Sequence, residues 1–359
     1  MKNFRMIIFF VFMSFTFLIL SSCTPRDVNK GKSGANVHYS NVIAVEAKET
    51  DTKIFNVGSH KLSQNLTNSN INNIEEMLYD TKKTTFIYLN KEKDSNKNKI
   101  DIITKNSLDE IKNFYNARNI KMNSTGDKIA FRTFKNDSVY SAEGMKVYDI
   151  KNRKYLPIKS KVLVSGDLYE WLDDHRIIYY GSIEGEANSN RVYIYDFNTD
   201  REQIYLNDTK GYCIHFILIG NDILFLSRNY NKLYLYFYNN ASKQFTLLSD
   251  GFAEIYSSVS DKKRKSVFFI GNQNDNNTAL YEFKEESGTV NRITYDFPET
   301  FGISSGIAED ESGNVYFTGI GKEEQQDNLD VFMYNADEKS INVISEHAGK
   351  YRIYKNNEM

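Results

Sequence analysis

The chain has 359 residues, 40% apolar and 14% aromatic, with 45 basic against 47 acidic side chains and a formal charge of −2. These figures exclude a disordered or collagen-like chain, and the charge balance removes any global argument for nucleic-acid binding. Two cysteines cannot build a disulfide framework, and the length suits two or three domains or one large β or repeat domain.

Lys2 and Arg5 give the N-terminus a positive start, and residues 6–20 then run without a charge. About 20 apolar residues are needed to span a bilayer, so this run is short for a permanent anchor and suits the core of a signal peptide. It ends in Leu20-Ser21-Ser22-Cys23. That sequence resembles the bacterial lipobox: an aliphatic residue, two small residues and a cysteine. The resemblance implies cleavage after Leu20, Ser21 and Ser22, and a lipid on the Cys23 thiol. It also implies attachment to the outer face of the cytoplasmic membrane, or periplasmic anchoring in a Gram-negative cell. Residues 1–22 are thus expected to be a signal peptide. Losing Lys2 and Arg5 would bring the charge to about −4 (43 minus 47). Residues 23–37 carry Pro25, Gly31, Ser33 and Gly34 with no apolar pattern, and read as a flexible tether.

From residue 38 to 359 short β-type runs recur on an even beat. One class has a central aromatic, at Tyr88, Phe131, Tyr179, Phe225, Phe269 and Phe317, spaced by 43 to 48 residues. A second class follows each of these, anchored at Ile102, Tyr148, Tyr195, Tyr236, Tyr281 and Tyr334, and turns through polar residues into a further strand. A third class precedes the first, as in Asn119-Ile120-Lys121-Met122 and Ser305-Gly306-Ile307-Ala308. Each unit therefore holds four short strands, here termed a to d, in about 46 residues. That period is the signature of a β-propeller blade. The fold class is accordingly all-β, a single propeller domain of four-stranded blades.

Six complete units fill the middle of the chain. The N-terminal runs Val42-Ile43-Ala44-Val45 and Lys53-Ile54-Phe55-Asn56-Val57 fit strands b and c, with Val45 on the beat of Tyr88 and Phe55 on that of Ile102. Tyr351-Arg352-Ile353-Tyr354 at the C-terminus fits a lone strand a. Seven blades are expected, the seventh shared by the two ends of the chain. Six blades with both ends as decoration is the alternative. Residues 120–131 (Ile120 through Asn123, Gly126, Asp127 and Lys128 to Phe131) resemble the TolB-like propeller repeat, in which a polar turn with Asp and Gly precedes Lys and a hydrophobic strand. The resemblance implies an architecture and no particular activity.

The loops between strands b and c are long and polar in most units, including 91–99, 133–144, 181–190, 271–277 and 319–328. They mark one face as the expected contact surface for a protein, peptide or glycan. The chemistry-bearing residues point to little else. His38, His60, His175, His215 and His347 are scattered, so no metal site is expected. Neither Glu309-Asp310-Glu311 nor the Asn-rich loop near 272–277 spaces ligands like a calcium loop. No Gly-x-Ser-x-Gly elbow, phosphate loop or dinucleotide fingerprint occurs, so no catalytic residue and no cofactor is assigned. Carboxylates converging on a central channel keep open an enzyme acting on carbohydrate. An aromatic pocket there would instead suit a small-ligand-binding lipoprotein. Lys262-Lys263-Arg264-Lys265 reads as a solvated turn, and Cys213, in an apolar run, as buried and inert. The expected state is a monomeric interaction scaffold.

Overall fold

A computed structural model describes residues 39–47, 52–58, 60–64, 73–93, 95–261, 264–273, 278–321 and 328–357. The signal segment with Leu20, Ser21 and Ser22, the lipidation position Cys23, the tether at 23–37, Lys262 and Lys263 lie outside the described residues.

Seven antiparallel sheets follow one another along the chain. Blade 1 holds β1 (Val42–Ala47), β2 (Thr52–Val57) and β3 (Leu62–Gln64). Blade 2 holds β4 (Ile74–Asp80), β5 (Thr85–Lys91), β6 (Asn98–Ile103) and β7 (Leu108–Ile111). Blade 3 holds β8 (Asn116–Met122), β9 (Lys128–Phe134), β10 (Ala142–Asp149) and β11 (Lys154–Leu156). Blade 4 holds β12 (Val162–Trp171), β13 (Arg176–Ile183), β14 (Arg191–Asp196) and β15 (Arg201–Leu206). Blade 5 holds β16 (Tyr212–Ile219), β17 (Asp222–Asn229), β18 (Lys232–Asn239) and β19 (Gln244–Ser249). Blade 6 holds β20 (Phe252–Asp261), β21 (Ser266–Gln273), β22 (Ala279–Lys284) and β23 (Thr289–Arg292). Blade 7 holds β24 (Thr300–Phe301), β25 (Ala308–Glu309), β26 (Val315–Ile320), β27 (Asp330–Asn335) and β28 (Ser340–Val343). The last strand, β29 (Tyr351–Lys355), returns to blade 1 and pairs with β1, Ile353 opposite Ala44. Seven blades closed by both chain ends is the expected architecture, and the six-bladed alternative falls.

The hydrophobic core is not one mass but seven seams. Each buried cluster draws from two adjacent blades, and the last joins blade 7 to blade 1 through Tyr316, Met333, Phe55 and Ile353. A blade in a ring has a neighbour on both faces. Strand b is therefore buried on both, and its sequence reads as an unbroken apolar run, as in Phe86-Ile87-Tyr88-Leu89 or Val267-Phe268-Phe269-Ile270. Successive side chains feed opposite seams: Ile87 and Leu89 face blade 3, Phe86 and Tyr88 face blade 1. Burying each such side chain contributes roughly 1.5–3 kcal/mol.

The aromatic beat has a packing origin. In blades 4 to 7 the strand-b aromatic lies directly opposite a strand-c aromatic and stacks on it: Tyr179 on Tyr193, Phe225 on Tyr236, Phe269 on Tyr281, Phe317 on Phe332. Every strand-b aromatic from Tyr88 to Phe317 faces the preceding blade. The expected alignment slips by one residue at two places. Val45 and Ile102 face the following blade, and the residues that share the register of the other blades are Ala44 and Asp101. A one-residue slip exchanges the two faces of a strand. In β1 both faces are apolar, so hydrophobicity could not separate them, whereas in β6 the face in register carries Lys99 and Asp101 and Ile102 lies on the other, apolar face.

Strand a of blade 7 also departs from expectation. The run 305–308 is not one strand: β24 and β25 pair separately with β26. Between them Gly302 packs against Thr318, where a Cβ would lie 2.1 Å from the hydroxyl oxygen, and the Ser305 carbonyl accepts the Ile353 amide.

Candidate functional site

The two faces of the ring differ in what their polar residues do. On one face lie the a–b and c–d turns. Their Asp and Asn side chains accept backbone amides within the same turn: Asp80 from Lys83, Asp149 from Asn152, Asp173 from Arg176, Asp196 from Asn198, Asn239 from Ser242, Asp310 from Ser312. The Asn123–Lys128 turn shows why its sequence looks as it does. Buried Asn123 accepts the amides of Asp127 and Lys128 and donates to Asp127, Thr125 and the Asp174 carbonyl of the next blade, while Gly126 supplies φ +66°. These side chains build the turns.

On the same face two charged residues make contacts between blades. Arg264 keeps 39% of its side chain in solvent, as a solvated turn residue does, and also makes a contact between blades. Its guanidinium crosses from blade 6 to blade 7, 3.4 Å from Glu309 and hydrogen-bonded to the Glu311 carbonyl. Glu309 does not belong to a loop cluster. It ends β25, is fully buried, and has its carboxyl pushed up to about 7 by burial and by Asp261 beside it. Lys265 pairs with Glu285 at 3.0 Å. Asp173, Asp174 and His175 also come within 4.8 Å of one another, the one metal-like grouping among the described residues. Asp173 is already bound to Arg176, with Nε at 2.6 Å, and Asp174 to His175 Nδ1 at 2.6 Å.

The inner strands carry a second network, along the central channel. Bulges interrupt the pairing of β4, β8, β12, β16 and β20. A bulge re-aims side chains, and here the re-aimed groups are polar. Glu76 on blade 2 accepts the amides of Asn119 and Ile120 on blade 3 at 2.7 and 2.8 Å. Asn119 sits at φ +57° and its amide side chain donates to Asp167 on blade 4 at 3.3 Å. Lys121 pairs with Glu170 at 3.0 Å. Arg352 on blade 1 donates to the Glu75 carbonyl of blade 2. The Lys121 and Glu170 side chains remain 39% and 36% exposed although protein surrounds them, as expected for groups facing a lumen. Burial raises the Glu76 carboxyl, against the two amide bonds that lower it. Glu170 raises the Lys121 ammonium and keeps it charged. His215 on blade 5 lies 3.4 Å from Ser258 of blade 6, and burial pushes it down to about 4, so it is neutral at pH 7. The channel thus holds carboxylates and a neutral imidazole, each fixed by its neighbours. Sequence spacing could not show this, because the groups come from different blades.

The loop-rich face carries exposed apolar side chains. Tyr140 is 95% exposed in the b–c loop of blade 3, and Tyr230 is 93% exposed in the b–c turn of blade 5. Val139, Leu163, Tyr212 and Tyr295 are also exposed at this end of their blades. The loop that holds Tyr140 is hydrogen-bonded within itself. Ser138 accepts the Tyr140 amide, Ser141 donates to the Asn136 and Ser138 carbonyls, and Asn96 of blade 2 donates to Asp137. Cys213 is buried as expected, its thiol pushed up to about 12 by burial.

Solved structures resemble this one in fold. A quinonprotein alcohol dehydrogenase-like protein from Bacteroides thetaiotaomicron aligns with a TM-score of 0.53 and 12% identity, over 88% of this chain and 78% of its own. An uncharacterized protein from Listeria monocytogenes aligns at 0.51 and 12%, over 86% and 96%. TolB from Acinetobacter baumannii aligns at 0.44 and 11%, over 87% and 82%. No family model and no curated protein matches the chain. At these identities the likeness concerns the fold alone: this chain is a seven-bladed β-propeller.

Proposed function

We propose that this protein is a lipid-anchored, extracytoplasmic interaction scaffold with TolB-like repeats. In this reading Cys23 carries the lipid, residues 23–37 tether a monomeric ring to the outer face of the membrane, and the loop-rich face binds a protein, peptide or glycan. One observation carries the binding face: Tyr140 and Tyr230 stand almost wholly in solvent on that face, Tyr140 on a loop held in shape by its own hydrogen bonds. Exposed aromatic side chains on rigid supports are common anchors of interfaces. The Asp and Asn residues of the opposite face are spent on their own turns.

Two measurements test this reading. Membrane fractionation with intact-mass analysis should find wild type in the membrane with an acylated Cys23, and Cys23→Ser released. A Cys23→Ser protein that stays membrane-bound at full length would refute the anchor. Affinity capture from solubilised membranes should recover a partner with wild type and lose it with Tyr140→Ser/Tyr230→Ser; equal recovery would refute the face.

The channel supports a second reading, an enzyme on carbohydrate or a small-ligand binder. Glu76, Asp167 and Glu170 reach the lumen from two blades, linked through Asn119 and Lys121. Glu170→Gln would then abolish turnover of wall or extracellular glycans, a loss the scaffold reading does not predict.

A further inference from the structure

Arg118 and Arg132 lie directly opposite each other on β8 and β9. Opposite residues of an antiparallel pair share a face, and like charges there are destabilising. Neither guanidinium has a hydrogen bond or ion pair among the described residues. The nearby carboxylates are committed elsewhere: Glu76 to two backbone amides, Asp167 to Asn119, Glu170 to Lys121. What both arginines do contact is one ring. Arg118 lies 5.3 Å and Arg132 5.1 Å from the centre of Phe134, two residues beyond Arg132 on the same face. Stacking on an aromatic face orients a guanidinium without consuming its N–H donors. Two guanidiniums from opposite positions of one strand pair are thus held against a single ring with their donors unspent among the described residues.

Their position is also defined. Phe134 ends β9 at the loop-rich face, and the loop bearing Tyr140 begins at the next residue. Further down the same face of blade 3, Ala130 and Val147 pack into the seam with blade 4. The arginines are therefore at the loop-rich mouth of the seam between blades 3 and 4. At this end of blade 4, Val162 and Val164 pack into the same seam.

We propose that Arg118 and Arg132 form an oxyanion-binding site for a carboxylate or phosphate group on the ligand of the loop-rich face. Paired guanidinium forks match the two oxygens of a carboxylate or phosphate, and a bound anion offsets their mutual repulsion. The site deepens the scaffold reading and rests on the loop-rich face being the binding face. Its test is separate, because it uses small anions and no cellular partner.

The test is calorimetric titration of the folded protein at low ionic strength with citrate in one arm and tripolyphosphate in the other. Wild type should bind at least one, and the arm that binds tells carboxylate from phosphate. Arg118→Gln and Arg132→Gln should each weaken binding about tenfold or more, and the double variant should abolish it. Arg132→Lys should weaken it too, because an ammonium keeps the charge but loses the fork. The exposed outer-strand variant Arg201→Gln should bind as wild type does. Thermal melts supply a second readout. Removing one arginine relieves repulsion, so the midpoint should hold or rise. The proposal is overturned if neither anion binds, if the double variant binds like wild type, or if Arg201→Gln loses binding equally. It is also overturned if the single variants lower the midpoint by several degrees with binding unchanged, which would make the arginines structural. Failure here with capture still lost in Tyr140→Ser/Tyr230→Ser would leave the face and remove only the anion.

Discussion

Gly313 and His215 are the residues whose substitution reads the structure most directly. Gly313 sits at φ +86°, and a Cβ there would lie 1.2 Å from Nη1 of Arg264. The missing side chain is what lets Arg264 reach Glu309 across the seam. Gly313→Ala should therefore cost about 1–3 kcal/mol from backbone strain and the displaced guanidinium, read as a lower midpoint in denaturant melts. An unchanged midpoint would remove the clamp from the account. His215 gives a pH signature. Its folded value near 4 lies below the ordinary 6.5, so the folded state binds fewer protons between those values. Its contribution is present above about 6.5 and is lost as pH falls toward 4. Between pH 7 and pH 5 the loss is on the order of 2 kcal/mol. Glu309 has the opposite sign: raised to about 7, it stabilises the protonated folded state and weakens it as pH rises. The test is thus the difference between wild type and His215→Gln. Wild type should lose more stability on acidification, and parallel curves would contradict the assignment.

At the scale of the strand, the closing element matters most. β29 contributes a full antiparallel pairing to β1, and Tyr351 and Ile353 fill the seam with blade 7. Tyr79 of blade 2 adds hydroxyl bonds to the carbonyls of Ser40 and Asn41. Truncation after Gly349 would leave β1 as an exposed edge and open one seam. The truncated chain should aggregate or melt in a broad, non-cooperative transition by circular dichroism; a sharp melt near the wild-type midpoint would contradict the closure. This element was legible in the sequence because Tyr351-Arg352-Ile353-Tyr354 has the pattern of a strand a, the strand that the N-terminal unit lacks. The turns were legible too, since Asn123, Gly126 and Asp127 are the residues such a turn requires. Two things were not. The register of Val45 was hidden because both faces of β1 are apolar, and that of Ile102 because the in-register position of β6 is taken by Asp101 while the anchors of the other blades are aromatic. The inner strand of blade 7 was hidden because Gly302 and Gly306 break its alternation. Arg264 looked like one lysine-rich charge among several, and only the fold shows that it points at Glu309.

At the scale of the molecule, the ring sorts its polar residues into three populations. Those on the turn face hold turns, those of the channel hold one another, and those of the Tyr140 loop hold the loop that presents an exposed tyrosine. The candidate site was only half legible: the long b–c loops could be read from the chain, whereas the channel network and the Arg118–Arg132 pair depend on bulges and cross-strand register. The central claim is that the loop-rich face engages a partner in the cell envelope. It is tested most directly by photo-crosslinking in intact cells, with a photoreactive residue at position 140 in one strain and at position 151, in the c–d turn of the same blade, in another. The account predicts a discrete crosslinked adduct from position 140 and none from position 151. Adducts from position 151 alone, or the same adducts from both, would contradict it.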